Sequence, residues 1–479
     1  MLYIVFKVIF LILAIIGTSF LIPITCALCL KEFAVIPSFL IPMIISWALG
    51  AIFLFTGKKS STRLSTKAGF VVVALAWIFA SFFGALPLYF SGAIPNFTDA
   101  FFESVSGFTT TGATILSNVE SLPCSINLWR CQTHWLGGMG IVALTVALFP
   151  ILGVGGFQLI KAETTGPEKG KFTPKITTTA KVLWFIYMGM TIILTVLLRI
   201  AGMNFTDALS HAFSTLGTGG FSTKNAGIGY YNSSAIDIII TVFMALGSIN
   251  FTLYFYLFTG KFHEIKVNTE LKAFLLICLV SAFILTLVQV PQYHNFLTSL
   301  RYSVFQMFSI ISTSGFSTAD YTKWTSAAQA IILCLMFIGG CSGSTAGGIK
   351  VIRWTILAKQ LKNEILRMLH PHGIYTIQLN KQSGRKDVVY SVAAFMFAYV
   401  IIIFATSFFT SLFGIDLFTS FTGAVSMIGN VGLAFGKFGP YTNYEWLPAA
   451  VKWWYSVVML SGRLEIYTII IYLFPSFWK

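Results

Sequence analysis

Residues 106–114 read Ser-Gly-Phe-Thr-Thr-Thr-Gly-Ala-Thr, "SGFTTTGAT". The three consecutive threonines and two glycines offer little apolar surface. Yet the stretch follows an apolar, helix-like segment and shortly precedes another long one. The surrounding chain is a membrane protein by composition. Of its 479 residues 56% are hydrophobic and 10% charged, with mean hydropathy +0.82, against about 25% charged residues in a soluble domain. Apolar runs long enough to cross a hydrocarbon core about 30 Å thick recur along it. Backbone-exposing residues belong at membrane depth only where protein buries them or where they line a wet cavity.

Ten spans are expected, near 2–30, 35–56, 68–92, 127–160, 179–202, 234–259, 272–292, 326–361, 388–413 and 447–476. The first is too long for the apolar core of a signal peptide and lacks a clear small-residue cleavage site. The net charge of +15 is explained by where it lies. Connections 57–67, 161–181, 261–272 and 350–387 carry the lysine and arginine clusters, and they are alternate connections on one side. Positive charge marks the cytoplasmic side, so both termini are expected there, and a lipid or nucleic-acid patch is not needed. Cys26 and Cys29 form a CxxC on an apolar segment and are expected to be packing residues. A Cys124–Cys131 disulfide is not expected.

Each outer connection repeats one grammar: a half-length apolar stretch, then small residues. The stretches are "FTDAFFESVSGFTTTGAT" (97–114), "FTDALSHAFSTLGTGGFST" (205–223), "LTSLRYSVFQMFSIISTSGFST" (297–318) and "LFTSFTGAVSMIGNVGLAFG" (417–436). They align on Gly112, Gly220, Gly315 and Gly432. Thr110, Thr218, Thr313 and Asn430 fall two places earlier, Thr111, Gly219, Ser314 and Val431 between, and an apolar residue follows each glycine. Such recurrence identifies architecture. The expected fold is all-α and polytopic: four span–half-helix–span repeats around a pseudo-fourfold pore, preceded by two extra helices. The divisions are 1–57 (extra pair), 66–162, 175–262, 270–362 and 387–479 (repeats one to four), with 363–386 a cytoplasmic connection.

About 11 residues of helix are too short to cross, so each stretch reads as re-entrant. Four loops meeting on one axis offer rings of carbonyl oxygens that replace a cation's hydration shell, and glycine gives the backbone freedom to aim them. None of the twelve loop positions is charged, which suits K⁺; a Mg²⁺ or Ca²⁺ site would carry carboxylates. The bland alternative, small residues easing helix packing, does not account for four recurrences. Below the loops, Gly339-Gly340-Cys341-Ser342-Gly343-Ser344-Thr345-Ala346-Gly347-Gly348 puts five glycines into ten residues of the eighth span. At about 1 kcal/mol each against alanine, they forbid a stable helix and predict an intramembrane loop obstructing the path. Arg463, with Glu465 nearby, is an intramembrane charge and a functional candidate by default. It is expected to donate to carbonyls of that loop, the alternatives being an Arg463–Glu465 pair or a side chain that snorkels to the interface.

Glu103, Arg130 and Arg301 are expected to be buried pairing groups. Asp99 and Asp207 are expected at half-helix N-termini, where carboxylates are favoured. His134 reads as packing, and His370 and His372 flank a Pro371 turn. No HExxH, GxSxG, Walker A or metal cluster appears, so no enzyme is expected. A proton- or sodium-coupled symporter is the rival transport class, but such proteins usually show inverted repeats and midplane charges; a Na⁺-permeable or poorly selective pore of the same kind is a third reading, differing only in filter energetics.

On "SVSGFTTTGAT", "HWLGGMGIVALTVALFPILGVGGFQLIKAE" (134–163), "GCSGSTAGGIKVIR" (340–353) and "SGRLEIYTIII" (461–471), the whole chain resembles the Trk/Ktr/HKT superfamily of potassium transporters, and within it the Trk branch, whose extra N-terminal pair residues 2–56 resemble. The resemblance implies K⁺ (with Rb⁺) uptake across the bacterial cytoplasmic membrane and a homodimer with one pore per protomer. It implies a gating role for 339–348, and a cytoplasmic ring of RCK-type regulatory domains that carries the nucleotide (ATP/ADP or NAD), this chain holding no organic cofactor. Connections 361–387 and 161–181 are the natural docking surface. In some plant members a Ser at the first filter glycine accompanies Na⁺ transport; Gly112 favours K⁺ here, and Asn430 predicts shallower selectivity.

Overall fold

The structure, a computed structural model, describes residues 2–56, 66–140, 176–380, 382–383 and 386–478. The far half of the expected 127–160 span and most of the basic connections 57–67 and 161–181 lie outside these residues. The described chain is α-helical, apart from a two-residue antiparallel pairing of Gln378–Leu379 with Gln382–Ser383. Among the described residues, six helices or continuous helix pairs are long and apolar enough to cross a bilayer, and two further pairs qualify if each bent pair is one span. The protein is a multi-pass membrane protein.

Helices α1 (Leu2–Ser19), α2 (Leu21–Cys29) and α3 (Ile36–Thr56) come first. Small residues let α1 and α3 approach closely, as is usual between membrane helices: a Cβ on Gly50 would lie 2.9 Å from Ala14 Cβ. Phe20 and Phe39 pack on Trp129, and Glu32 accepts hydrogen bonds from the Cys124 and Ser125 amides at 2.8 and 3.0 Å. These contacts fix the N-terminal helices to the helix that begins at Cys124.

The rest runs in four sets of long helix, short helix, loop and helix. The first is α4 (Thr66–Phe90), α5 (Phe97–Phe108) and α6 (Cys124–Gly138). The second is α7 (Ile176–Ile200), α8 (Phe205–Gly217), α9 (Ser234–Ser248) and α10 (Phe251–Phe258). After α11 (Phe262–Val267), the third is α12 (Thr269–Tyr293), α13 (Phe296–Ile311), α14 (Ser326–Met336) and α15 (Val351–Leu369). The fourth is α16 (Lys386–Ser411), α17 (Leu417–Gly429), α18 (Ala449–Arg463) and α19 (Ile466–Ile470).

Two expected spans are not continuous. The 234–259 segment bends by 94° between α9 and α10, and the 447–476 segment by 119° after α18. The apolar runs on either side of each break set the expected spans, although residues 247–250 (Gly-Ser-Ile-Asn) and 461–465 (Ser-Gly-Arg-Leu-Glu) between them are largely polar. What breaks the helices is tertiary hydrogen bonding. At the first, Gly247 and Ser248 carbonyls accept from Thr345 (3.3 Å) and Cys341 (2.9 Å) amides, and the Phe251 amide donates to Gly343 (3.0 Å). At the second, Glu465 adopts φ +57° and pairs with Arg353.

Candidate ion pathway

The short helices α5, α8, α13 and α17 start and stop for local reasons. Each begins on a side-chain cap that satisfies an orphan amide: Asn96 to Thr98, Asn204 to Asp207, Asn295 to Leu297 and Asp416 to Thr419, at 2.7–2.9 Å. The helices have 12, 13, 16 and 13 residues. At 1.5 Å per residue none exceeds about 24 Å, short of a bilayer core.

Each ends in the same backbone figure. Thr110, Thr218, Thr313 and Asn430 have φ of 55°, 55°, 57° and 54°, and Gly112, Gly220, Gly315 and Gly432 have φ of 79°, 85°, 70° and 82°. A β-branched residue at positive φ is a strained outlier, costing about 1–3 kcal/mol and characteristic of functional sites. The strain is held by a shared bond. The amides of Thr111, Gly219, Ser314 and Val431 donate to the carbonyls of Ser106, Ser214, Ser309 and Ser426 at 2.9–3.0 Å.

The four loops close on one another. A Cβ on Gly112 would fall 1.9 Å from the Gly219 oxygen. One on Gly220 would fall 2.0 Å from the Ser314 oxygen, one on Gly315 2.4 Å from the Val431 oxygen, and one on Gly432 2.1 Å from the Thr111 oxygen. The order of contact is therefore first to second to third to fourth and back to first. A second circuit runs through the segments after the glycines. Val119 donates to Asn225 (2.8 Å), Gly229 to Ser317 (3.2 Å), the Tyr321 hydroxyl to Ala434 (2.7 Å), and the Tyr444 amide to Thr114 (2.8 Å). The aligned glycines and the residues just before them thus meet in one ring, and none of the twelve expected loop positions is a carboxylate. The Thr hydroxyls are not uniform: Thr218 donates to Gly217, whereas Thr313 accepts from the Gly347 amide at 2.7 Å. Asn430 Nδ2 donates to Thr111 Oγ1 and to the Met459 oxygen, both at 3.0 Å.

Residues 339–348 leave the helix, with positive φ at Gly339, Gly343 and Gly348. This segment touches the ring: a Cβ on Gly347 would lie 2.6 Å from the Gly429 oxygen, at the C-terminus of α17. Gly340, Cys341, Gly343 and Thr345 bond to neighbours along the chain and to α9–α10, and Ser344 Oγ donates to Cys341. The Ser342 and Ile352 amides donate to the buried Glu270 carboxylate, and Lys350 donates to the Ala346 carbonyl. Arg463 donates from Nη1 to the Thr345 oxygen at 2.8 Å, and from Nη2 to Gly137 and Gly138 at 2.7 and 2.9 Å. Its guanidinium ties the 339–348 segment to the end of α6. The alternative Arg463–Glu465 pair is not formed; Glu465 pairs with Arg353 instead.

The other expected groups are engaged as pairs. Arg130 and Glu103 form a buried bond of 2.7 Å, and Glu103 also accepts from Thr114 Oγ1 and the Ile115 amide, both at 2.9 Å. Arg301 bonds Asp237 at 2.7 Å. Asp99 and Asp207 lie in the first turns of α5 and α8, where Lys452 bonds Asp99 at 2.6 Å and Thr223 and Tyr231 bond Asp207 at 2.6 and 2.9 Å. His134 is packed, and all seven cysteines are free.

Two features escaped the sequence reading. One is the serine six residues before every aligned glycine, a recurrence visible once the alignment is extended upstream. The other is the position nine before the glycine. Glu103 there holds Thr114; His211 holds Ser222 through Nε2 at 2.9 Å; Gln306 has no partner among the described residues; and Gly423 admits the Phe438 ring. The four residues are unlike and only Glu103 and His211 bond the loop, so no sequence pattern marks the position.

A family model described as TrkH, cation transport protein, matches residues 35–478. The chain belongs to the TrkH family. Its relatives include the Trk system potassium uptake protein TrkH of Halomonas elongata, 39% identical with 92% of each chain covered. The Trk system potassium uptake protein TrkG of Escherichia coli is 36% identical, covering 96% of this chain and 95% of its own. The crystal structure of the potassium transporter TrkH from Vibrio parahaemolyticus matches with TM-score 0.89 at 34% identity, over 100% of both chains. Fold and family thus agree with the Trk resemblance read from the motifs.

Proposed function

We propose that this TrkH-family protein takes up K⁺, and with it Rb⁺, through a filter made by the loops at Thr110–Gly112, Thr218–Gly220, Thr313–Gly315 and Asn430–Gly432. The observation that carries the reading is the cyclic contact of the four glycines with their neighbours' carbonyls. Four uncharged loops in one closed ring, each locked in the same strained figure, supply peptide oxygens without a fixed negative charge. Such a cage favours a large, weakly hydrated monovalent ion. The four α-helix C-termini at the ring add the negative ends of their dipoles.

Residues 339–348 act as the gate, closed by Arg463. The guanidinium donates to Thr345, and its charge repels a cation while the segment lies under the ring. The division into an N-terminal pair (1–57) and four pore repeats follows the helix order, with 339–348 in the third repeat and 363–386 as the cytoplasmic connection. The protein functions as a homodimer in the bacterial inner membrane with both termini in the cytoplasm. A nucleotide-binding RCK-type subunit docks on the basic end of α15, where Lys359, Lys362 and Arg367 lie, and releases the gate.

Ion flux from liposomes holding the purified protein tests this. K⁺ and Rb⁺ passing down their own gradients, well ahead of Na⁺ and Li⁺, is the expected result. Flux that requires an imposed proton gradient, or equal flux of all four ions, contradicts it.

A further inference from the structure

The second loop lacks a device that the first and third share. Thr109 Oγ1 and Thr111 Oγ1 bond at 2.8 Å, and Ser312 Oγ and Ser314 Oγ bond at 2.7 Å, in each case across the residue with positive φ. The second loop has Gly217 and Gly219 in those places and can make no such bond. The space is taken by His134 of α6. A Cβ on Gly219 would fall 1.4 Å from His134 Nδ1 and 2.2 Å from its Cε1, so the imidazole lies directly against the Gly219 backbone. The ring also packs on Phe221, with centroids 4.2 Å apart, just beyond Gly220. Gly217 meets the same residue differently, its Cβ position being 2.4 Å from the His134 carbonyl oxygen. His134 is fully buried, and neither ring nitrogen has a hydrogen-bond partner among the described residues. Among the described residues, the imidazole is held by packing alone.

We propose that His134 is a positioning residue for ion discrimination: its imidazole is the wedge that fixes the second loop, in the role that hydroxyl pairs play in the first and third. The proposal rests on the reading of the four loops as a filter. Mutating outer-shell groups that orient metal ligands costs about 10–100-fold in metal affinity or activity, and the wedge is expected to act on that scale. A wedge acts through the Gly219 carbonyl, which borders Gly112 of the first loop, so its removal loosens the junction between two loops.

The test compares K⁺/Na⁺ permeability ratios in liposomes, with the melting temperature of each full-length variant measured beside them. His134→Ala should lower the ratio about tenfold, by admitting Na⁺ more than by losing K⁺. His134→Gln, similar in volume, should restore most of it. Gly219→Ser should be severely impaired alone and should recover in the His134→Ala background, where the added hydroxymethyl fills the vacated space and a hydroxyl is returned. Gly217→Ser should not recover, because its clash is with the α6 backbone. Double-mutant coupling of this kind isolates the contact from general destabilisation. If His134→Ala does not assemble, His134→Ser, whose single γ atom can rotate away from Gly219, carries the same comparison. An unchanged ratio in His134→Ala, or Gly219→Ser equally impaired with and without the imidazole, overturns the proposal. Gly112→Ser and Gly432→Ser separate the two readings. If they leave the ratio intact, the filter itself is wrong; if they abolish it while His134→Ala is silent, only the wedge fails.

Discussion

The first and third loops and the second and fourth reach one backbone figure by different means. In the first and third, hydroxyls on either side of the residue at positive φ bond to each other, Thr109 to Thr111 and Ser312 to Ser314. In the second and fourth, the equivalent earlier position is Gly217 or Gly429, and bulk comes from elsewhere. His134 backs Gly219, and the Tyr399 hydroxyl lies 3.4 Å from the place a Cβ on Gly429 would take. The fourth loop adds Asn430, whose amide reaches Thr111 of the first. The first and third loops, on one diagonal, share a device; the second and fourth, on the other, are each supported differently. What is common to all four is the φ pattern and the closed circuit of glycines, which identifies the backbone as the part under strictest demand.

Breaking the common part should do the most. Gly220→Ala puts a methyl 2.0 Å from the Ser314 oxygen, on a residue at φ 85°. Rubidium uptake in liposomes should fall about 100-fold, toward the upper end of what displaced ligand groups cost. Next is the support of the first loop. Glu103→Gln leaves Arg130 buried without its carboxylate, and breaking such a pair costs about 3–5 kcal/mol. Thermal unfolding should shift down and K⁺ selectivity fall together; the corresponding loss in the second loop, His211→Gln, should be smaller because no buried charge is stranded.

The gate is predicted to respond in the opposite direction. Arg463→Ala removes a charged hydrogen bond to Thr345, worth about 1.5–3 kcal/mol, and about 1.4 kcal/mol is tenfold in an equilibrium. Flux without the regulatory subunit should rise at least about tenfold, measured as Rb⁺ uptake in liposomes. Unchanged flux would remove Arg463 from the gate. The smallest effect should follow from sharpening the comparison. Asn430→Thr makes the fourth loop more like the others and loses the bond to Thr111. A neutral side-chain hydrogen bond is worth about 1 kcal/mol, so a change of a few-fold in the K⁺/Na⁺ ratio is expected.

The four loops were legible because a strained backbone tolerates few residue types, so glycine and the threonine or asparagine before it recur visibly. The unwound segment 339–348 was legible through its glycines, and Arg463 through the rarity of charge in an apolar span. The breaks after Ser248 and Arg463 were not legible. The apolar runs flanking them suggest one continuous helix, and the polar residues at 247–250 and 461–465 become breaks where Thr345, Cys341, Gly343 and Arg353 bond to their backbone and side chains across the fold. The loop supports at Glu103, His211 and Gly423 were also hidden, since a loop can be held by an ion pair, an imidazole or an aromatic ring from afar. His134 could be read as packing from its apolar run, but not as packing against Gly219, a contact between residues distant in sequence.

The most direct test is to locate the ion. Rb⁺ density in a high-resolution map of the protein prepared in rubidium chloride should fall on the axis of the ring, among the carbonyl oxygens of Thr111, Gly219, Ser314 and Val431. Rubidium bound elsewhere, with the four loops empty and apart, would contradict the account.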